Sequence, residues 1–143
     1  MVETIGDIWE WLGRAPLAVT TNGSLNRRGE CPMPRGCARQ ARERFPELPA
    51  VFGALLAERG NHVLELGHGL LSFPVEEHWL DPPDLRLIAR SAAELRALTD
   101  TRGWRQVVLP RPGCGGGGLD WRDVRPLLAP HLDERFLIFS LAP

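Results

Sequence analysis

A run of glycines is the part of this sequence best suited to binding an anion. It reads GCGGGG, from Gly113 to Gly118, three residues after the apolar run VVL and two residues before a segment with helical character. Each glycine costs up to about 1 kcal/mol of ordering entropy relative to alanine, so the run indicates that the backbone itself is used. Backbone N–H groups without side chains can approach a phosphate at the mouth of a helix. The run therefore predicts a phosphate-binding loop.

Two other interpretations of the glycines are weaker. A flexible linker does not normally join a buried strand to a short amphipathic helix. Gly113, Gly115 and Gly118 also spell the dinucleotide motif G-x-G-x-x-G. A dinucleotide-binding fold places that motif after its first strand and follows it with a second nucleotide-binding half. Here the motif comes after a late strand and only a short stretch of chain follows it, so we do not expect a Rossmann fold.

Charges and cysteines limit the chemistry further. The 143 residues include 17 basic and 18 acidic side chains, so no overall field attracts the chain to nucleic acid or membrane. All basic residues are arginine, which excludes any mechanism that needs a lysine amine. Cys31, Cys37 and Cys114 lack the paired spacing of a zinc site, so we expect reduced thiols and no metal. Without a signal peptide or an apolar run of about 18 residues, a cytoplasmic protein with no membrane partner is expected.

Strand and helix patterns alternate along the whole chain. This alternation predicts an α/β domain in which helices cover a largely buried sheet. Apolar, β-prone runs and a turn at Gly67–Gly69 predict strands over 16–21, 105–110 and 135–140 and a hairpin around 67–69. Helical periodicity predicts helices over 37–45, 50–60, 84–99 and 121–128. With 43% hydrophobic residues, one domain spanning 1–143 is expected, as a monomer.

A capping signal sets the start of the helix after the glycines. Asp120 is a favoured N-cap residue type, and Leu119 and Val124 have the spacing of a hydrophobic staple around it. The helix therefore begins where a phosphate loop needs its N–H groups. We interpret Asp120 as a structural cap rather than a catalytic acid.

Four segments of the sequence resemble the macrodomain family, whose members bind ADP-ribose. Spread over nearly the whole chain, they are GDIW (6–9), TTNG (20–23), CPMPRGCARQ (31–40) and PRPGCGGGGLDW (110–121). The last segment is the most specific of the four. The resemblance implies a three-layer α/β/α sandwich with a mixed central sheet, and it implies binding of ADP-ribose, or of ADP-ribosylated protein or DNA, without a cofactor.

The resemblance also implies which residues bind the ligand. Asp7, with Ile8, would recognise the adenine amino group, and Asn22 would lie near the distal ribose. The two loop segments would wrap the diphosphate. Their residues are Met33, Arg35, Gly36 and Cys37 in the first and Gly113, Cys114, Gly115, Gly116, Gly117, Gly118 and Leu119 in the second. Pro34 stands where the family usually has glycine, which removes one N–H from the first loop.

The closest branch by motif contains terminal ADP-ribose glycohydrolases and DNA ADP-ribosyl glycohydrolase antitoxins. Its members act through a lysine in a segment like FPTKxxW, whereas this chain reads FPVEEHW and has Glu76 at the lysine position. Some members also have an aspartate where Gly117 stands. Because a lysine adduct is impossible here, hydrolysis would use water, with Glu76 as the general base or acid. Two functions stay open: removal of ADP-ribose from modified protein or DNA, and non-catalytic binding as a reader or scavenger.

Overall fold

A mixed six-stranded sheet lies at the centre of the structure, a computed structural model that describes residues 1–141. Along the chain the strands are β1 (Val2–Ile5), β2 (Leu17–Asn22), β3 (Glu65–Gly67), β4 (Leu70–Glu76), β5 (Val107–Pro110) and β6 (Phe136–Ser140). Their order in the sheet is β1-β6-β5-β2-β4-β3. Only β3 runs antiparallel to its neighbour, β4, so the carboxyl ends of the five strands other than β3 meet at one edge.

Helices cover both faces of this sheet. The helices are α1 (Gly36–Arg44), α2 (Leu48–Arg59), α3 (Leu85–Arg102) and α4 (Trp121–Leu128), with a short 3-10 helix at Ile8–Trp11. Neighbouring residues of β2 point to opposite faces: Leu17 and Val19 pack with α1 and α2, whereas Ala18 packs with α3 and α4. The predicted three-layer α/β/α sandwich with a mixed sheet is confirmed. No helix within residues 1–141 has the length and apolarity needed to cross a membrane.

The elements differ from the sequence predictions mainly at their ends. Helix α2 begins at Leu48 rather than residue 50, and α3 continues to Arg102 instead of ending at 99. Strand β1 and the 3-10 helix lie where the sequence predicts no element. The residues of β1 are mostly exposed, and this edge strand pairs only with β6. Strand β1 therefore has no apolar pattern from which it could be predicted.

A bulge between β2 and β4 aligns two polar residues at the carboxyl edge of the sheet. Thr21 pairs with Pro74, whereas the next residue of β2, Asn22, pairs with Glu76. Val75 is the extra residue on β4. Bulges of this kind redirect a side chain at a strand end. Here the bulge places Glu76 beside Asn22.

Candidate functional site

A cleft with two adjoining compartments opens at the carboxyl edge of the parallel strands. The larger compartment has a volume of about 460 Å³ and the smaller one about 150 Å³. The residues that line both compartments, and so form the boundary between them, are Gly36, Cys37, Pro110, Arg111 and Gly115. They come from the start of α1, the end of β5 and the glycine-rich loop. Ligands of open α/β sheets bind at this edge.

The glycine-rich loop, residues 113–118, keeps several backbone donors for a ligand. Within it and at its ends, the N–H of Cys114 donates to the Arg111 carbonyl, that of Gly118 to Gly115 and that of Leu119 to Gly113, over 2.9 to 3.3 Å. None of these bonds in the described chain uses the N–H groups of residues 115–117. The loop therefore presents consecutive N–H groups that an anion can accept from.

The glycines of this loop are needed for different reasons. Gly113 and Gly118 have φ of +73° and +79°, a region that favours glycine. A Cβ on Gly117 would lie 2.6 Å from Cγ of Pro83 and 2.7 Å from the Gly113 carbonyl oxygen. A Cβ on Gly115 would meet no described atom within 4 Å. Glycine at 115 is therefore not required by the fold, and its effect is to keep the cleft open.

The amino end of α1 supplies further donors at the boundary. Its N-cap, Arg35, makes no side-chain hydrogen bond to the helix, whereas Asp84 and Asp120 cap α3 and α4 through their carboxylates. The first N–H groups of α1, at Gly36 and Cys37, are thus available at the positive end of the helix dipole. Together with the glycine-rich loop, α1 makes the boundary a site for a negatively charged group.

The larger compartment contains the residues expected to recognise adenine. Asp7 and Ile8 line it, as do Cys114 and Leu119. The carboxylate Oδ1 of Asp7 accepts a hydrogen bond from the Trp9 N–H at 2.9 Å and so caps the 3-10 helix. Because Asp7 is exposed, its second oxygen can accept from a ligand.

The smaller compartment contains the predicted distal-ribose residues. Asn22, Arg35 and Glu76 line it together with Gly113, Gly116 and Gly117. The Asn22 amide also holds the following loop, because its Nδ2 donates to the Pro32 carbonyl and its Oδ1 accepts from the Ser24 N–H, each at 2.9 Å. Asn22 therefore has a fixed orientation at the compartment wall.

Glu76 is the acid of this compartment, and its surroundings shift its pKa. Its side chain is 12% exposed, and Oε2 lies 4.0 Å from Nη2 of Arg35. Burial raises the pKa of Glu76, the positive charge of Arg35 lowers it, and the negative charge of Asp81 raises it, with burial the largest effect. The thiols are poor candidates for catalysis, because burial raises the pKa of Cys37 to about 12 and also raises the pKa of Cys114.

Three predicted residues do not line either compartment. Met33 is only 2% exposed, and its side chain packs in the core on the α1–α2 face. An unbranched apolar side chain next to the buried Cys31 gains more from this packing than from an open cleft. Gly118 lies at the end of the glycine-rich loop and lines neither compartment. Asp120 caps α4 by accepting from the Arg122 N–H at 2.9 Å, and its pKa is lowered by its bonds to Arg122.

The structure adds residues to the site that the sequence did not indicate. Gln40, Trp121 and Phe139 line the larger compartment, and Arg111 lies at the boundary. Arg111 follows β5 directly, at the carboxyl edge where ligands bind. Its position after a predicted strand could therefore have indicated a site residue. Gln40, which accepts from the Trp9 indole N–H at 2.7 Å, reaches the compartment only through the folding of α1 against the 3-10 helix.

Solved structures show what this architecture is. The macrodomain of Mycobacterium tuberculosis DarG superposes with a TM-score of 0.76 and 24% sequence identity, over 99% of this chain and 97% of that one. Thermosipho africanus DarTG in complex with ADP-ribose superposes with a TM-score of 0.74 and 20% identity, over 96% of this chain and 41% of that one. This chain has the macrodomain fold. No family model matches its sequence.

Sequence relatives of this chain agree with the structural neighbours. A Thermosipho africanus DNA ADP-ribosyl transferase-DNA ADP-ribosyl glycohydrolase fusion protein is 26% identical over 127 residues, covering 71% of this chain and 33% of the relative. The DNA ADP-ribosyl glycohydrolase of Mycobacterium bovis is 29% identical over 113 residues, covering 71% and 32%. The chain therefore spans about a third of the length of the curated relatives it matches. The resemblance expected from the four segments is confirmed.

Proposed function

We propose that this macrodomain binds ADP-ribose in the two-compartment cleft and hydrolyses its bond to modified DNA or protein. The observation that carries the proposal is the boundary between the compartments. There the amino end of α1, which has no side-chain cap, meets Gly115 of the glycine-rich loop, and the next residues, Gly116 and Gly117, line the smaller compartment. A diphosphate is the part of ADP-ribose that needs such donors, and it separates two groups that fit the two compartments.

The two compartments differ as the two ends of ADP-ribose differ. The larger one would take adenosine, with Asp7 accepting from the adenine amino group. The smaller one would take the distal ribose, next to Asn22 and Glu76. Three or four N–H contacts to phosphate, at about 1.5–3 kcal/mol each and reduced by the cost of ordering, are compatible with the roughly 8 kcal/mol of micromolar binding.

Hydrolysis in this cleft would use water and Glu76. The carboxylate would take a proton from a water molecule as the water oxygen bonds to the anomeric carbon of the distal ribose, and the bond from that carbon to the acceptor would break. A partly buried carboxylate with a raised pKa is better suited to accept and return a proton than a fully exposed one. The leaving group would then receive the proton that Glu76 holds.

A second function is favoured by one observation. The chain has no lysine, and Glu76 occupies the position of the catalytic lysine in the branch that it resembles. A protein that keeps the binding residues without that lysine would act as a reader or scavenger of ADP-ribose. Both functions need the same cleft, and only turnover distinguishes them.

Two measurements on the unmodified protein test the proposal. Calorimetry should show micromolar binding of ADP-ribose and much weaker binding of adenosine, which lacks the diphosphate. Chromatography should then detect free ADP-ribose after incubation with an ADP-ribosylated oligonucleotide or protein. No binding at millimolar ADP-ribose would overturn the whole proposal. Binding of ADP-ribose without its release from any of these substrates would support the function of a reader or scavenger.

A further inference from the structure

Among the described residues, Arg111 is the one charged residue that lines both compartments. The other residues lining both compartments are glycines, a proline and a cysteine. Arg111 follows the last residue of β5, and its carbonyl accepts from the Cys114 N–H, which holds it against the start of the glycine-rich loop. Its position is therefore set by the sheet and the loop together.

The guanidinium of Arg111 has few partners in the protein. Its Nε is buried and has no hydrogen-bond partner among the described residues, and its Nη2 reaches Oε1 of Glu3 only at 3.4 Å. Glu3 is held more closely by other groups, since it accepts from Nε1 of Trp121 at 2.7 Å and from Nε of Arg125 at 3.1 Å. A guanidinium carries five N–H donors. Most of the donor capacity of Arg111 is thus left for another anion.

An aromatic ring packs against this guanidinium. Its central carbon lies 4.8 Å from the centroid of the Trp121 ring, within the range of a cation–π contact. Trp121 itself lines the larger compartment, and the Arg111 side chain is 27% exposed. A guanidinium that is already oriented loses less entropy when it forms paired hydrogen bonds with phosphate oxygens.

We propose that Arg111 binds the diphosphate of the ligand through its side chain and so adds a charged contact to the backbone donors. This inference rests on the proposed function, because it takes ADP-ribose as the ligand. It gives the cleft a local positive charge in a chain whose net charge is −1. Arg111 would then determine specificity for ligands that carry a diphosphate over uncharged nucleosides.

The test is a comparison of two ligands on the variant Arg111→Gln. We expect the Kd of ADP-ribose, measured by calorimetry, to rise about 10- to 100-fold, the usual range for a hydrogen bond to a charged group. The Kd of adenosine, measured by NMR titration, should stay the same. The salt dependence of ADP-ribose binding should become less steep, because one charge pair is lost. Arg111→Lys should recover part of the affinity by restoring the charge.

Arg14→Gln is the matched control. Arg14 also lies over a tryptophan, with its central carbon 4.5 Å from the Trp11 ring centroid, but it lines no part of the cleft. This variant should bind both ligands like the unmodified protein. Equal weakening of adenosine and ADP-ribose in Arg111→Gln would show that Arg111 only supports Trp121, and would overturn the inference. Unchanged ADP-ribose binding by Arg111→Gln would also overturn the inference. Absence of ADP-ribose binding by the unmodified protein would overturn the proposed function itself.

Discussion

The guanidinium of Arg35 and the carboxylate of Glu76 face each other across the smaller compartment, with Nη2 of the first 4.0 Å from Oε2 of the second. The two side chains differ in exposure, 57% for Arg35 and 12% for Glu76. Burial disfavours the ionised form of Glu76, and the arginine charge offsets part of that cost. Arg35 therefore adjusts the acidity of the carboxylate that we propose as the base.

Two substitutions should move the acidic limb of the pH profile in opposite directions. A general base must be ionised, so kcat/KM falls as the pH drops through its pKa. Arg35→Gln removes the charge that lowers the pKa of Glu76 and should shift this limb to higher pH. Asp81→Asn removes a charge that raises the pKa and should shift the limb to lower pH.

The pH profile is measured as release of ADP-ribose from a modified oligonucleotide. Shifts of the same sign in both variants would contradict an electrostatic origin. A shift of the alkaline limb instead would mean that Glu76 acts as an acid.

Glu76→Gln should separate catalysis from binding. The amide has nearly the shape of the carboxylate but cannot accept the proton, so kcat should fall by about 10²–10⁴-fold with little change in the Kd of ADP-ribose. Single-turnover release assays measure the rate of catalysis, and calorimetry measures the Kd of ADP-ribose. Glu77→Gln is the control, since Glu77 is exposed and its Oε2 accepts from Asn61. Equal loss of binding and turnover would reduce Glu76 to a ligand contact.

Much of the fold follows from local patterns in the sequence. The apolar runs of β2 and β6 and the stripe of α3 predict their elements, because each buries a continuous face. Strand β1 has no such face, so only its pairing with β6 defines it. About half of the residues that line the cleft were indicated by the glycines and by the family resemblance.

The residues that the sequence did not indicate depend on contacts between distant segments. Arg111 is oriented by Trp121 and reaches Glu3, which is 108 residues away along the chain. The burial of Met33 depends on the packing of a core that includes residues of the 3-10 helix, α1, α2 and five strands. The pairing of Asn22 with Glu76 requires a bulge that no residue pattern indicates. Non-local geometry of this kind is not encoded in the periodicity of any one segment.

Substitutions at two glycines of the glycine-rich loop should have different effects. Gly115→Val should leave the melting temperature nearly unchanged, because its Cβ meets no described atom within 4 Å, but its side chain should block the boundary and abolish ADP-ribose binding. Gly117→Val should destabilise the protein by about 1–3 kcal/mol, because it overlaps Pro83 and the Gly113 carbonyl. Thermal unfolding and calorimetry measure both properties. Normal binding by Gly115→Val would show that the diphosphate does not lie at the boundary.

Asp7 should recognise the adenine amino group independently of its capping role. We expect Asp7→Ala to weaken ADP-ribose binding by about 1.5–3 kcal/mol. An analogue with hypoxanthine in place of adenine should bind the unmodified protein more weakly but should bind Asp7→Ala and the unmodified protein alike. Asp120→Ala, which also removes a helix cap but lies outside both compartments, is the control. If Asp7→Ala lost the same affinity for ADP-ribose and for the hypoxanthine analogue, the role of Asp7 would be in the fold alone.

Borohydride trapping should show that turnover in this chain does not pass through an amine. A lysine amine can condense with the aldehyde of the opened distal ribose, and borohydride then reduces the imine to a stable adduct. This chain has no lysine, and the α-amino group of Met1 donates to the Leu132 carbonyl at 2.7 Å, at the end of β1 remote from the cleft. Intact-mass spectra after incubation with ADP-ribose and borohydride should therefore show no sugar adduct.

The variant Glu76→Lys is the positive control for this experiment. It places an amine at the wall of the smaller compartment, so an adduct should form there if that compartment holds the distal ribose. Peptide mapping would locate the adduct at residue 76. Failure of Glu76→Lys to trap the sugar, with ADP-ribose still bound, would mean that the distal ribose lies elsewhere and that Glu76 cannot be the base. An adduct on the unmodified protein would instead require an amine that reaches the cleft, and the water mechanism would have to be abandoned.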